Sequence, residues 1–252
     1  MELFSNESHS CHVFRELVTG KEAVQSNQFL IINGDHSALI DPGGDMTYTR
    51  LFMEVCQLTS VSGLDYIIAS HQDPDIVASL NRWLSGTRAK IVIPELWEKF
   101  IPHFTRPGKI DNRVITMPDR GTHLSLGAIN LKALPAHFLH SEGNFQFYDP
   151  ISKILFSGDM GANLCPQEDL DKEVKNLSEI MPYMDGFHKR YMSGNKVCRF
   201  WVNMVRQLDI KLIAPQHGRA LTGAAIPEFL SYIENLQCGL DLFTQKNYQI
   251  PK

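Results

Sequence analysis

The stretch Tyr66-Ile67-Ile68-Ala69-Ser70-His71-Gln72-Asp73-Pro74-Asp75-Ile76 decides how the rest of the chain is read. Its first four residues read as a short buried strand, and Ile76, Val77, Leu80, Trp83 and Leu84 then recur at helical spacing. His71 to Asp75 therefore fill the loop between a strand's carboxyl end and a helix, where α/β folds build their sites. Two carboxylates crowded there repel each other and are costly to bury, and a cation relieves both costs. A lone histidine in a core is ordinarily a packing residue. One that shares a strand-to-helix junction with two carboxylates points to a metal.

Outward from that loop the same alternation repeats. Residues 29–32 and 37–40 flank an Asn33-Gly34 turn and predict a hairpin. A helix is expected at 51–58, a strand at 91–93 and a short helix near 96–101. Strands follow at 129–134, 144–148 and 153–156, then helices at about 167–180 and 189–208. A strand at 211–214 and a terminal helix over about 226–243 complete the reading. Two successive β-then-α halves with no linker predict an α/β fold, a four-layer αββα sandwich forming one domain over 1–252.

Two more strand ends carry metal-competent groups: Asp159 follows Phe156, and His217 follows Ala214. His140 lies just ahead of the strand at 144–148. Three imidazoles and three carboxylates suit two ions, with one carboxylate able to bridge. That ligand set fits iron, manganese or zinc, and the absence of cysteine nearby disfavours a soft-metal or structural zinc site.

The bulk composition narrows the function classes. The 252 residues are 43% hydrophobic and 21% charged, with a net charge of −4 and no basic run, which argues against nucleic acid as partner. The five cysteines (Cys11, Cys56, Cys165, Cys198, Cys238) form no Cys-x-x-Cys pair and read as reduced thiols. Neither a signal peptide nor a membrane span is visible. A cytoplasmic protein that meets no membrane is expected.

Five ordered motifs carry a resemblance covering nearly the whole chain: Asp41-Pro42-Gly43, His71-x-Asp73-x-Asp75, Leu139-His140-Ser141-Glu142-Gly143-Asn144, Phe156-Ser157-Gly158-Asp159 and Ala214-Pro215-Gln216-His217-Gly218. In order and spacing they resemble the metallo-β-lactamase superfamily. Hydrolytic members usually carry His-x-His-x-Asp-His, whereas here Asp73 and Ile76 replace two of the histidines. A carboxylate at the second position resembles the flavodiiron branch, whose usual form is His-x-Glu-x-Asp. It also resembles the bacterial oxygen-binding diiron proteins that lack the flavodoxin domain.

The resemblance implies that His71, Asp73 and His140 hold one iron, Asp75 and His217 the second, and that Asp159 bridges. It further implies that Ile76, unable to ligate, leaves an open face on the second iron. The expected cofactor is a pair of iron ions, with zinc or manganese as the alternative. No FMN is expected, because the chain ends at Lys252, soon after His217.

The expected function is dioxygen binding, by an oxygen sensor or by an oxygen or nitric oxide reductase fed by an external electron donor. The expected ligand is dioxygen or another small diatomic molecule. A signalling protein or electron-transfer partner and a homodimer are candidate partners. The alternative is a metal-dependent hydrolase of phosphodiester or thioester bonds.

Weaker candidates surround the six. His137, placed on a strand with His140, would face the other way. His188 and Tyr191, placed just before a helix, could donate a hydrogen bond to a bound ligand. His36, His103 and His123 read as solvated, and Gly43-Gly44 is too short for a phosphate cradle.

Overall fold

The computed structural model describes residues 1–18, 23–106 and 108–251. One mixed sheet contains β1 (Glu2–Ser5), β2 (His9–Phe14), β3 (Gln28–Asn33), β4 (His36–Ile40), β5 (Tyr66–Ile68), β6 (Lys90–Pro94) and β7 (Val114–Met117), hydrogen-bonded in that order. Its first four strands pair antiparallel, and β4 through β7 pair in parallel. The second sheet contains β8 (Thr122–Leu126), β9 (Ile129–Pro135), β10 (Phe145–Asp149), β11 (Ile154–Phe156), β12 (Leu212–Ala214) and β13 (Leu221–Thr222). Within it only β11 and β12 run parallel.

Strand periodicity makes the layers. Ala38 and Ile40 of β4, Ile68 of β5, Ile154 and Phe156 of β11, and Leu212 and Ala214 of β12 meet between the sheets. The residues between them in sequence point the opposite way. Leu39 and Ile67 pack under α1 (Tyr48–Leu58), α2 (Pro74–Val77), α3 (Leu80–Gly86) and α4 (Ile101–Phe104). Leu155 and Ile213 pack under α5 (Met181–Tyr191), α6 (Asn195–Val205) and α7 (Ala225–Asn235). Strands buried on both faces read as continuous apolar runs, which is why these segments were legible. The result is the expected α/β four-layer αββα sandwich.

Several element expectations are corrected. Residues 167–180 form two 3₁₀ turns, Gln167–Asp169 and Leu177–Glu179, not a helix. Leu170, Val174, Leu177 and Ile180 imitate helical spacing, but the Arg219 guanidinium takes the carbonyls of Lys172 (2.8 Å) and Glu173 (2.8 Å). Val174 meanwhile bridges to Leu221, so the backbone there pairs across the fold. The next helix begins with Pro182 in its first turn, where proline's missing N–H costs nothing. His188 and Tyr191 therefore lie inside α5, not before a helix. The expected helix over 189–208 is divided, because Ser193-Gly194 separates α5 from α6. The last helix stops at Asn235, ahead of Gly239 in a left-handed conformation (φ 48°). Strands β1 and β2 were not anticipated, because His9, Ser10 and His12 break up the apolar pattern.

Candidate metal centre

The six candidate residues come from four loops at one edge of the sandwich. His71 follows β5, Asp73 is the N-cap residue of α2, and Asp75 lies in its first turn. Asp159 follows β11 and His217 follows β12, so these two hang from neighbouring parallel strands. His140 sits in the β9–β10 loop, not on a strand. Phe138 (φ 64°) and His140 (φ 77°) are both left-handed there, a conformation costing roughly 1–3 kcal/mol for each such residue. Phe138 N–H donating to Ser141 O (2.8 Å) and Asn144 Nδ2 donating to Leu139 O (2.7 Å) hold the loop in that shape.

Asp159 organises the centre. Its Oδ2 lies 3.1 Å from His71 Nε2 and 3.9 Å from His140 Nε2. Asp73 Oδ2 completes that side, 2.8 Å from His140 Nε2 and 3.7 Å from His71 Nε2. On the other side, Asp159 Oδ1 is 3.3 Å from His217 Nε2, which is 3.5 Å from Asp75 Oδ2. One carboxylate thus presents an oxygen to each of two imidazole–carboxylate groups. One donor atom each from His71, Asp73 and His140 falls within 4.8 Å of the others.

The outer nitrogens are spoken for. His217 Nδ1 donates to the Gln25 carbonyl (2.8 Å). His71 Nδ1 meets Ser70 Oγ at 2.9 Å, and that hydroxyl donates to Asp41 Oδ2 at 3.0 Å. These contacts fix the tautomers and leave each Nε2 aimed at the centre. Burial pushes the Asp41 carboxyl up to about 6, against the pull of His71 and the Ser70 donors.

The electrostatics fit a cation. Burial alone would lower His71 and His217, but Asp159 above all raises them to about 10 and about 9. Burial opposes ionisation of Asp159, yet His217 and His71 hold it well below the usual carboxylate range. His140 and His71 likewise hold Asp73 low, whereas burial raises Asp75. His71 Nε2 and Asp159 Oδ2 are both shielded from solvent and make no hydrogen bond of acceptable angle, despite their 3.1 Å approach. A ring nitrogen and a carboxylate oxygen aimed at common space suit a shared metal ion that replaces the ring proton, and the nitrogen–oxygen donor set suits iron, manganese or zinc. Asp73 and Asp75 keep side-chain exposures of 35% and 37%, so the burial anticipated for them is partial.

Of the surrounding candidates, only Tyr191 lines the cavity of about 400 Å³ over the centre. Its ring stacks on Phe187 (centroids 4.8 Å apart) and stands 5.2 Å from that of His140. His188 is excluded as a donor to a ligand: its Nδ1 faces Met184 O (2.9 Å) and its Nε2 accepts from Gly161 N–H (3.0 Å). Fully buried, it is depressed to about 4 by loss of solvent. His137 meets the Asp119 carbonyl (2.7 Å), and His36, His103 and His123 are exposed. Ile76 does not border the cavity; it is fully buried in the helix-side core with Leu51 and Trp83. Sequence reasoning also missed a buried cluster of His9, Cys11 and Asp149, which the His-x-Cys spacing on one strand could have flagged.

Comparison with known proteins adds to this geometry. The family described as "ODP family beta lactamase" matches residues 24–218. A solved structure described as a peroxy diiron species of the chemotaxis sensor ODP is 36% identical, covers 99% of both chains and superposes with a TM-score of 0.87. The apo state of that sensor from T. denticola matches equally well, covering 99% of this chain and 98% of its own. A putative diflavin flavoprotein of Synechocystis sp. is 27% identical over 206 residues, 79% of this chain but 33% of that protein. An uncharacterized protein of Methanocaldococcus jannaschii is 26% identical over 190 residues, 75% of this chain and 47% of its own length. The chain thus spans a third to a half of these curated relatives.

Proposed function

Because the chain belongs to the ODP family of β-lactamase-like proteins, we propose that it is a dinuclear iron protein whose ligand is dioxygen, acting as a sensor. The observation that carries this reading is Asp159, one buried carboxylate whose two oxygens face two separate imidazole–carboxylate groups. In this reading His71, Asp73 and His140 hold one ion, Asp75 and His217 hold the other, and Asp159 serves both. A pair of ferrous ions, when bound, supplies the electrons and open positions that dioxygen binding needs. Likeness over nearly the whole chain to a protein described as a diiron chemotaxis sensor supports the same assignment.

The chain's own residues shape what reaches the centre. Phe187, Tyr191 and Leu164 line the mouth and give it an apolar wall suited to a small neutral molecule. Tyr191, half-exposed and lining this cavity, carries a hydroxyl able to donate a hydrogen bond to a guest there. Residues 1–252 are read as one diiron domain. Its readout is a signalling protein, and the free cysteines suit a reducing, cytoplasmic setting. Among the described residues no helix is long and apolar enough to cross a membrane.

The test uses protein loaded anaerobically with Fe²⁺, its visible spectrum taken before and after air. A new absorption band in near-stoichiometric yield is expected. A spectrum unchanged by air, together with cleavage of a model phosphodiester, would establish the hydrolase instead.

A further inference from the structure

A second cluster of metal-competent groups lies inside the sandwich, away from the diiron pocket. His9 and Cys11 are two apart on β2, so both side chains project from one face of that strand. Asp149, the last residue of β10, meets them from the opposite sheet. All three are at most 2% exposed. His9 Nε2 lies 2.7 Å from Asp149 Oδ2, Cys11 Sγ lies 3.4 Å from the same oxygen, and Sγ and Nε2 are 3.6 Å apart.

We propose that His9 Nε2, Cys11 Sγ and Asp149 Oδ2 form a structural site for one borderline-soft divalent cation, with Zn²⁺ the best match, tying β2 of one sheet to β10 of the other. Three observations support it. Bond lengths of about 2.0–2.3 Å in a tetrahedral zinc site put ligand atoms roughly 3.3–3.6 Å apart. The two edges that include sulfur already have those lengths, and only the nitrogen–oxygen edge must open.

The outer contacts also match those of a ligand set. His9 Nδ1 faces Asn33 Oδ1 at 3.2 Å, and the Asn33 amide is oriented by its donation to Leu126 O at 3.0 Å. That arrangement directs Nε2 inward, as for most metal-bound imidazoles. The Asp149 carboxylate is held by the N–H groups of Ile151 (3.1 Å) and Ser152 (3.2 Å), and the Ser152 hydroxyl, which donates to the same Oδ2, stands next to the triad as a fourth potential ligand atom.

The charge balances as well. Without a cation His9 and the Ser152 donors hold the Asp149 carboxyl low, and burial with the Asp149 charge keeps Cys11 a thiol. Entry of one divalent cation displaces the Cys11 thiol proton to water, and the resulting thiolate and the Asp149 carboxylate match the ion's two positive charges. The loaded cluster is then neutral, so no uncompensated charge is buried.

Because the cluster has no exposed approach, the ion must enter as the chain folds. The experiment therefore grows the full chain in minimal medium with Co²⁺ replacing zinc, and compares wild type, Cys11→Ala, Asp149→Asn and His140→Ala. Wild type and His140→Ala are expected to show a thiolate-to-cobalt charge-transfer band, which Cys11→Ala lacks and Asp149→Asn diminishes. After growth in zinc, Cys11→Ala should hold one zinc fewer per chain. A wild-type chain without the band overturns the proposal and identifies the triad as a hydrogen-bonded network alone. So does a Cys11→Ala chain that retains the band. If Cys11→Ala fails to accumulate, the wild-type and Asp149→Asn spectra decide. His140→Ala separates this outcome from any failure of the diiron reading.

Discussion

Asp159 is the side chain on which the centre turns, since its two oxygens face different partners. Asp159→Ala should lose both irons, while His217→Ala should retain close to one per chain, measured by metal analysis of protein grown in abundant iron. A full pair in Asp159→Ala would exclude the bridge. Ile76 illustrates the opposite case, a residue whose place in a motif suggests the site but whose contacts do not. Ile76→His puts an imidazole among Leu51, Trp83 and Leu80 with no partner for its ring nitrogens. A destabilisation of roughly 2–4 kcal/mol is expected from urea unfolding. Iron content per folded chain should stay unchanged; a rise in metal affinity would show that position 76 reaches the centre after all.

The strands and helices contribute mostly by ending where they do. The parallel strands β11 and β12 deliver Asp159 and His217 side by side, each next to a glycine with positive φ. The two glycines differ in their surroundings. A Cβ at Gly158 (φ 53°) would meet nothing closer than Asn144 Oδ1 at 3.7 Å, so Gly158→Ala should cost about 1–2 kcal/mol of backbone strain. A Cβ at Gly218 (φ 84°) would overlap the Asn163 carbonyl oxygen, so Gly218→Ala must move the loop carrying His217. A loss of about 3 kcal/mol or more, with weakened binding of one iron, is expected for that variant. Unfolding curves of the two metal-free variants, side by side, check the ranking. Equal losses would mean that the loop yields freely.

For the molecule as a whole, the site is a reservoir of charge whose sign depends on metal. In metal-free protein the carboxylates raise His71 and His217 from 6.5 to about 10 and about 9. The folded state then holds protons that the unfolded chain releases. This contribution to stability is complete below pH 6.5 and is lost as pH rises through 9 to 10. Bound metal takes the place of those protons. Urea midpoints of metal-free protein should therefore fall between pH 6.5 and 10, while those of metal-loaded protein should not. Parallel pH profiles for the two forms would show that the imidazoles are uncoupled from the carboxylates.

The local sequence settled the strands with two buried faces, the loops that end them, and the residue types of the centre. Apolar runs that stop at His71, Asp159 and His217 are a signal carried by neighbouring residues alone. His140 was legible as a metal-competent residue, but its left-handed backbone was not, because that strain is held by Ser141 and Asn144. The helix expected over 167–180 failed for a related reason: Arg219, distant in sequence, captures the carbonyls that the helix would have used. Folding likewise placed Ile76 in the core, enclosed both ring nitrogens of His188, and brought Asp149 of one sheet against His9 and Cys11 of the other. Periodicity records which way a residue faces. What it meets there depends on chain that arrives from far away, and that pairing is fixed only when the two sheets close on each other.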